Sequence, residues 1–258
     1  FPNVVTSLEF ERILSASGPF QGHLVRPSDH KEPRSIAWLQ CVGSRDVKYN
    51  PYCSSVCCMY AIKEAVIAKE HAPYDLDAAI FFMDMRTYGK DFDRYYEQAK
   101  KVHGIRFVRS KVYGIEKLDG TGQLSVRFTT EDGETQRESF DLVVLSAGLH
   151  PPKGSKELAE TLGVDLDPYG FCKSKEFVSV DTSKEGIFAC GAFNGPKDIP
   201  ETVMQASGTA ARASALLASA RHTLTRRKEY PSEREVKGEE PRIGVFVCNC
   251  GINIARVV

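Results

Sequence analysis

The chain has 258 residues, 42% of them hydrophobic and 26% charged, enough to bury one large core or two modest ones. Lys+Arg and Asp+Glu both number 34, so there is no net charge and no basic footprint of the kind a nucleic-acid binder carries. No apolar run approaches the roughly 18 residues of a membrane span, and Phe1-Pro2-Asn3 begins neither a basic nor an apolar leader; a cytoplasmic protein is expected.

Taken in order, residues 6–14 read as a short helix capped by Thr6 or Ser7, with Glu9 in its first turn and Leu8, Ile13 and Leu14 roughly on one side. Residues 15–33, rich in Gly, Pro, Ser and charge, read as a linker. An apolar run over 35–40 is a buried strand, and it leads straight into a stretch holding Cys41, Cys53, Cys57 and Cys58. Residues 56–70 continue as a helix, 78–83 as a second buried strand, 91–100 as a helix stopped near Gly104, and 105–108 as a third strand. Strand, helix, strand, helix, strand is the signature of a parallel sheet with right-handed crossovers. Residues 124–129 and 137–140, joined through Asp132-Gly133, predict a β-hairpin or meander. A further buried strand over 142–145 runs into Gly148, which lets the chain turn sharply and come close to a ligand. Ile187 to Cys190 reads as a short strand ending at Gly191, followed by a loop and an Ala/Ser/Gly-rich helix from about Glu201 to about Arg221. Such a unit can aim backbone N–H groups and a helix N-terminus at an anion, or it can simply pack a helix closely on a sheet. Residues 226–241 are a charged linker, and a new apolar strand begins at Ile243 toward Cys248 and Cys250.

The four cysteines at 41, 53, 57 and 58 carry the chemistry. Thiolate sulfur is a soft ligand, and four thiols at one strand end suit an iron–sulfur cluster or zinc. Structural zinc usually takes two C-x2-4-C knuckles, whereas the adjacent pair Cys57-Cys58 splays to two corners of a larger polyhedron, which favours the cluster. Buried apolar packing, a disulfide and a catalytic dithiol of Cys53 with Cys57 or Cys58 stand as alternatives. Cys172 and Cys190 lie outside this stretch and are expected to be structural.

Residues 1–11 (Phe-Pro-Asn-Val-Val-Thr-Ser-Leu-Glu-Phe-Glu), Cys41-Val42-Gly43-Ser44-Arg45, the run from Tyr52 to Lys63 and Gly195-Pro196-Lys197-Asp198-Ile199-Pro200 closely resemble the A subunit of heterodisulfide reductase and its bacterial relatives. The resemblance covers almost the whole chain. It implies an α/β fold: a Rossmann-like, thioredoxin-reductase-like three-layer sandwich with a small antiparallel β meander, plus the closing segment of an FAD-binding domain. The implied organisation is a connector and short helix from the FAD domain over 1–34, a Rossmann-like domain with the cysteine motif over 35–145, the C-terminal part of the FAD domain over 146–225, a linker over 226–242 and the start of a further module over 243–258. The non-Met start and the lack of a G-x-G-x-x-G phosphate loop are consistent with a piece of a longer protein whose FAD site is incomplete here.

By that resemblance Cys41, Cys53, Cys57 and Cys58 bind one [4Fe–4S] cluster, Lys63 lies near the reactive edge of the flavin, and Gly148, Gly191, Ala192, Lys197, Asp198, Ile199 and Pro200 contribute to FAD binding. Ala192 stands where many thioredoxin-reductase relatives have an acidic residue. The implied function is electron transfer between flavin and iron–sulfur clusters in a heterodisulfide reductase-like complex, with electron bifurcation at the flavin as one mode. Implied partners are the other subunits, with ferredoxin or a hydrogenase or dehydrogenase as electron donor, or a second copy in a homodimer. With one glycine and a cysteine where pyrophosphate needs close backbone approach, tight NAD(P)H binding is not expected. A dithiol/disulfide oxidoreductase and a non-catalytic docking domain are the alternative functions.

Overall fold

The computed structural model describes residues 1–118 and 120–246. The elements of residues 1–147 are β1 (Val4–Thr6), α1 (Ser7–Leu14), β2 (Ser35–Val42), α2 (Cys57–His71), β3 (Asp77–Phe82), α3 (Phe92–Lys101), β4 (Arg106–Arg109), β5 (Lys111–Lys117), β6 (Leu124–Thr129), β7 (Thr135–Phe140) and β8 (Leu142–Ala147). Five of them form one sheet in the order β1-β8-β2-β3-β4, with every neighbouring pair parallel. The order puts β2 and β8 side by side in the interior of the sheet, so the loops after both open at the same sheet edge.

Alternation along the strands sets the layers. Ile36 and Trp38 of β2 face α1, α2 and α3, in a core completed by Phe10, Ile62, Leu76, Ile80, Leu142 and Val144. Ala37 and Leu39 face the opposite way, onto Leu124, Val126, Phe128 and Phe140 of the meander β5-β6-β7, where Phe81 meets Phe128 and Phe140 edge-on at 5.0 and 5.7 Å. A helical layer, a parallel sheet and an antiparallel meander make the Rossmann-like three-layer sandwich the sequence predicts.

Locally, α1 begins where expected. Thr6 Oγ1 accepts from the Glu9 backbone N–H at 3.3 Å and the Glu9 carboxylate accepts from the Thr6 N–H at 2.7 Å, a complete capping box. The stretch before it, read as connector, also supplies an edge strand: β1 pairs Val4, Val5 and Thr6 with Val143, Val144 and Leu145. Three residues are too few to show a period. At the base of the sheet the buried Asp141 carboxylate accepts from the Arg34 and Ser35 backbone N–H groups at 2.7 and 3.2 Å and from the Arg26 side chain at 3.3 Å. This ties the looping segment 15–33 to the start of β2.

The remainder of the first compact unit, which runs to Ala210, holds α4 (Ser155–Leu162), β9 (Ser174–Lys175), β10 (Val178–Thr182) and most of α5 (Ile199–Leu216). The strand expected over 187–190 is not formed: Phe188 makes only an isolated bridge to Asp181, and Gly191–Asn194 is a single 3-10 turn. Helix α5 begins two residues before the expected Glu201 and ends at Leu216, short of Arg221. The second unit, from Ala211, has a 3-10 turn at Ala218–Ala220 and then exposed irregular chain through residue 246. No strand forms over 243–246; Cys248 and Cys250 lie outside the described residues.

Candidate metal centre

The site sits where β2, β3 and β8 end. Opposite β8, the β2 register slips between Leu39 and Val42, and Cys41 takes φ +59°. A bulge of this kind turns a side chain out of the alternation and into the space beyond the strand end. Arg45 (φ +57°) and Ser55 (φ +62°) are also left-handed without being glycine. Each such residue costs about 1 kcal/mol or more, and clustering of strain in one loop marks a functional segment.

The loop is anchored on both sides. Ser44 and Ser54 share a buried hydroxyl–hydroxyl hydrogen bond of 3.3 Å, and Ser54 Oγ accepts from the Leu149 N–H at 2.9 Å. Gly148 is pressed against these two hydroxyls so closely that a Cβ there would overlap both. Tyr52 donates to Leu149 O at 3.1 Å and lies against Tyr169 and Phe171, with ring centroids 5.1 and 5.6 Å apart.

Cys41, Cys53, Cys57 and Cys58 all line one hollow, together with Ser44, Arg45, Ser54, Ser55, Asp84 and Arg86. All four are free thiols, so the disulfide alternative is not what the chain adopts. Cys57 and Cys58 open α2, whose N-terminus has no side-chain cap and no acidic residue in its first turn. The uncapped N–H groups and helix dipole favour negative charge at the two sulfurs. Burial nonetheless pushes both thiols up to about 11, and it raises Cys41 against the opposing pull of the Arg45 guanidinium. Left to themselves these are protonated thiols; a cationic centre that binds them as thiolates reverses that cost.

Among the described residues no group of three or more His, Cys, Asp or Glu side chains is arranged to hold a metal ion. The four cysteines nonetheless line one hollow, and an all-sulfur donor set of this kind has the chemistry of a soft-metal or iron–sulfur site. On the solvent side Arg45 pairs with Asp84, and Arg86 reaches the same carboxylate at 3.5 Å. On the inner side Tyr60 Oη donates to Ala147 O at 2.6 Å, the carbonyl that Cys57 Sγ also approaches at 3.9 Å. Sequence reasoning missed Arg45, Asp84, Arg86 and Tyr60 as neighbours of the thiols: Asp84 and Arg86 come from just past the far end of β3, and Arg45 and Tyr60, though close to cysteines in the chain, gave no sign that they face them.

The other expected site residues lie elsewhere. Lys63 is half-exposed on α2 and pairs with Glu11 of α1 at 3.2 Å. In the 191–200 loop Gly191 takes φ +70°, its N–H donates to Gln205 Oε1 at 3.0 Å, and its carbonyl accepts from Lys197 Nζ at 2.8 Å. Asp198 and Glu201 form a reciprocal cap at the start of α5, with bonds of 3.1 and 2.8 Å, and Ile199 is exposed. Ala192 lies in the 3-10 turn and Pro200 in the first turn of α5. The Gly191 and Asp198 N–H groups and the Lys197 ammonium are thus engaged within the loop and helix.

Residues 75–210, slightly more than half of the chain, match the family model described as pyridine nucleotide-disulphide oxidoreductase. The iron-sulfur A subunit of a CoB--CoM heterodisulfide reductase of Methanopyrus kandleri is 45% identical over 225 residues, which are 85% of this chain and 34% of that protein. The A subunit of an H(2)/formate:CoB-CoM heterodisulfide,ferredoxin reductase of Methanococcus maripaludis is 45% identical over 214 residues, 81% of this chain and 32% of that protein. The chain therefore spans about a third of the length of these curated relatives. The crystal structure of T. acidophilum thioredoxin reductase superposes with a TM-score of 0.51 at 16% identity, covering 84% of this chain and 58% of that one, a likeness of fold. Among the described residues no helix is long and apolar enough to cross a membrane.

Proposed function

The chain belongs to the pyridine nucleotide-disulphide oxidoreductase family, and on that footing we propose that it is the part of a heterodisulfide reductase A-type subunit that holds one [4Fe–4S] cluster beside a flavin site. The observation that carries this reading is the single hollow rimmed by Cys41, Cys53, Cys57 and Cys58 at the uncapped start of α2. An iron–sulfur cluster accepts and passes on one electron at a time, and a flavin exchanges one or two.

The chain's own residues do the rest. The strained loop 41–58 presents four sulfurs from a bulged strand end and a helix start, so their positions are fixed by the sheet and not by the metal alone. Arg45 and Arg86, with Asp84 between them, keep a net positive charge at the rim, which favours electron arrival there. Gly148 and the 191–200 loop give one wall of the flavin site, Gly148 as the tight turn after β8 that packs on Ser44 and Ser54, and Lys197 with Asp198 by holding the loop. With the Gly191 and Asp198 N–H groups and the Lys197 ammonium held within the loop, flavin phosphates would draw on other donors. Lys63 on α2 supplies a positive charge on the flavin side. The end of β2 carries Cys41 and a single glycine, Gly43, where a dinucleotide needs close backbone approach, which argues against tight NAD(P)H binding there. Electron bifurcation, ferredoxin and the companion subunits belong to the whole complex, in which this segment is the link between flavin and cluster.

A dithiol mechanism is the weaker reading. Catalytic cysteines have lowered pKa values, whereas burial pushes Cys57 and Cys58 up to about 11. The test is iron and acid-labile sulfide content of the parent protein purified without oxygen, as wild type and with each cysteine replaced by Ser. Cys57→Ser is expected to lose most of the cluster's iron and its absorption near 400 nm; unchanged content in all four single variants overturns the assignment.

A further inference from the structure

Helix α2 carries a second buried feature that the electron-transfer role does not use. Cys57, Tyr60 and Glu64 follow one another at spacings of three and four, hence along one stripe of the helix. Glu64 is 1% exposed. Its Oε2 accepts from Trp38 Nε1 at 2.9 Å, and among the described residues its Oε1 makes no hydrogen bond of good geometry, with the Ser7 side chain as its polar neighbour. A buried carboxyl with one open oxygen needs a proton or a cation there. The neighbouring ammonium is turned away, since Lys63 reaches outward to Glu11.

The titratable and charged groups facing Glu64 are Glu11 of α1 and Lys63 and Tyr60 of α2; Ser7 of α1 and Trp38 of β2 contribute only neutral dipoles. Burial pushes the carboxyl up to about 8, with the Trp38 hydrogen bond pulling the other way. Its proton is therefore exchangeable within the range in which proteins work. Tyr60 stands between Glu64 and Cys57 and interacts with both; burial drives its hydroxyl far up, so it stays protonated while it donates to Ala147 O. Positions 57 and 64 are about 10 Å apart along the helix axis, within range of a poorly screened interior charge.

Resting on the cluster reading above, we propose that Glu64 is the proton-coupling residue of the cysteine site. When a one-electron donor reduces the group held by the four thiolates, the site gains one negative charge. On the alkaline side of its pKa, where Glu64 is ionised, the carboxylate takes one proton from solvent, forming an O–H bond, and returns it when the electron leaves; on the acid side the carboxyl is already protonated and takes up none. The electron and the proton together leave the buried charge unchanged, which a fixed positive group could do only for one redox state.

The test is redox titration of the cluster in anaerobically purified parent protein, wild type and Glu64→Gln, from about pH 6 to pH 10. Gln keeps the volume and can accept from Trp38, and it does not titrate. The wild-type potential is expected to be flat on the acid side of the Glu64 pKa, to fall with pH between the Glu64 pKa of the oxidised and of the reduced protein with a slope below the one-electron limit of about 59 mV for each tenfold change in proton activity, and to level off above. The Glu64→Gln potential is expected to be flat throughout. Equal slopes in the two proteins overturn the inference, since a merely structural Glu64 would alter stability or iron content and leave the slope in place. Should Glu64→Gln fail to hold iron, reduced-minus-oxidised infrared spectra of the wild type on the alkaline side decide: a D2O-sensitive carboxylic acid C=O band appearing on reduction supports the inference, and its absence overturns it. A wild-type protein without iron and sulfide overturns the cluster reading, and this inference with it.

Discussion

Two regions of the first compact unit reach stability by different means. In residues 1–147 a parallel sheet is covered on both faces, and its central side chains Ile36, Trp38, Ile80 and Leu142 are fully buried. In α5 none of the described residues is buried, and Ile199, Val203 and Met204 are more than half exposed. That helix is held by its composition, its start and a few polar contacts: Ala is the best helix former, the Asp198–Glu201 cap satisfies N-terminal N–H groups, and Gln205 bonds to Gly191 and Asn194. The contrast shows where the fold is over-determined. The cysteine loop grows from the over-determined region, which is why it can sustain three left-handed non-glycine residues.

The largest expected effect tests that contrast directly. Trp38→Ala removes a fully buried ring that packs edge-on against Phe10 at 5.4 Å and should cost about 3–5 kcal/mol in urea denaturation. Val203→Ala, at 59% exposure on α5, should change stability by less than about 0.5 kcal/mol. Comparable costs at the two positions would mean that α5 is packed in solution as firmly as the sheet.

Next comes the pH dependence of the sheet region. Glu64 has a pKa of about 8 in the fold against an ordinary 4.5, because burial disfavours its charged form. A raised carboxyl pKa gives stability that is fully present below about pH 4.5 and is lost as pH rises through about 8. The loss should be on the order of 4 kcal/mol, and Glu64→Gln should remove this component from a stability-against-pH curve. A wild-type curve that rises between those limits while the variant stays level would show that the carboxyl is ionised in the fold.

A smaller effect is expected at the junction of the two regions. Gly148→Ala places a methyl group onto the Ser44 and Ser54 hydroxyls and should cost about 1–3 kcal/mol, with a matching fall in the iron retained by the parent protein. If stability falls and iron does not, the two serines fix the strand end without fixing the thiols.

Much of this was legible in the sequence. The apolar runs at 36–39, 78–81 and 142–145 became strands because both faces of a parallel sheet are covered, and the four cysteines were grouped by spacing alone. Strand β5, Lys-Val-Tyr-Gly-Ile-Glu-Lys, escaped notice because charge and a central glycine mask its alternation, and it becomes a strand through pairing with β6. Helix α4 could have been found from Gly163, which ends it in a left-handed conformation. At the site the thiols could be read from their spacing, and their surroundings could not. Glu64 was legible only through Trp38, whose buried N–H had to find an acceptor. Arg45 and Asp84 meet because β2 and β3 are neighbours, a fact of topology and not of spacing.

The smallest expected effect on stability, and the sharpest on function, is at Lys63. Its side chain is 53% exposed and pairs with a Glu11 carboxylate that is itself 42% exposed, so water screens the attraction and two long side chains lose freedom to make it. Lys63→Ala should therefore shift the unfolding free energy by less than about 0.5 kcal/mol. The proposed role beside the flavin asks for something different: a positive charge that stabilises the reduced ring by electrostatics, whatever it does for the fold. Redox titration of FAD in the parent protein separates the two. Loss of the ammonium should lower the flavin potential by roughly 30 mV, the equivalent of about 1.4 kcal/mol for a two-electron couple. A Lys63→Arg variant keeps the charge and should restore the potential, although Arg holds a carboxylate differently. An unshifted potential in Lys63→Ala would leave the Glu11 ion pair as the whole of what Lys63 does.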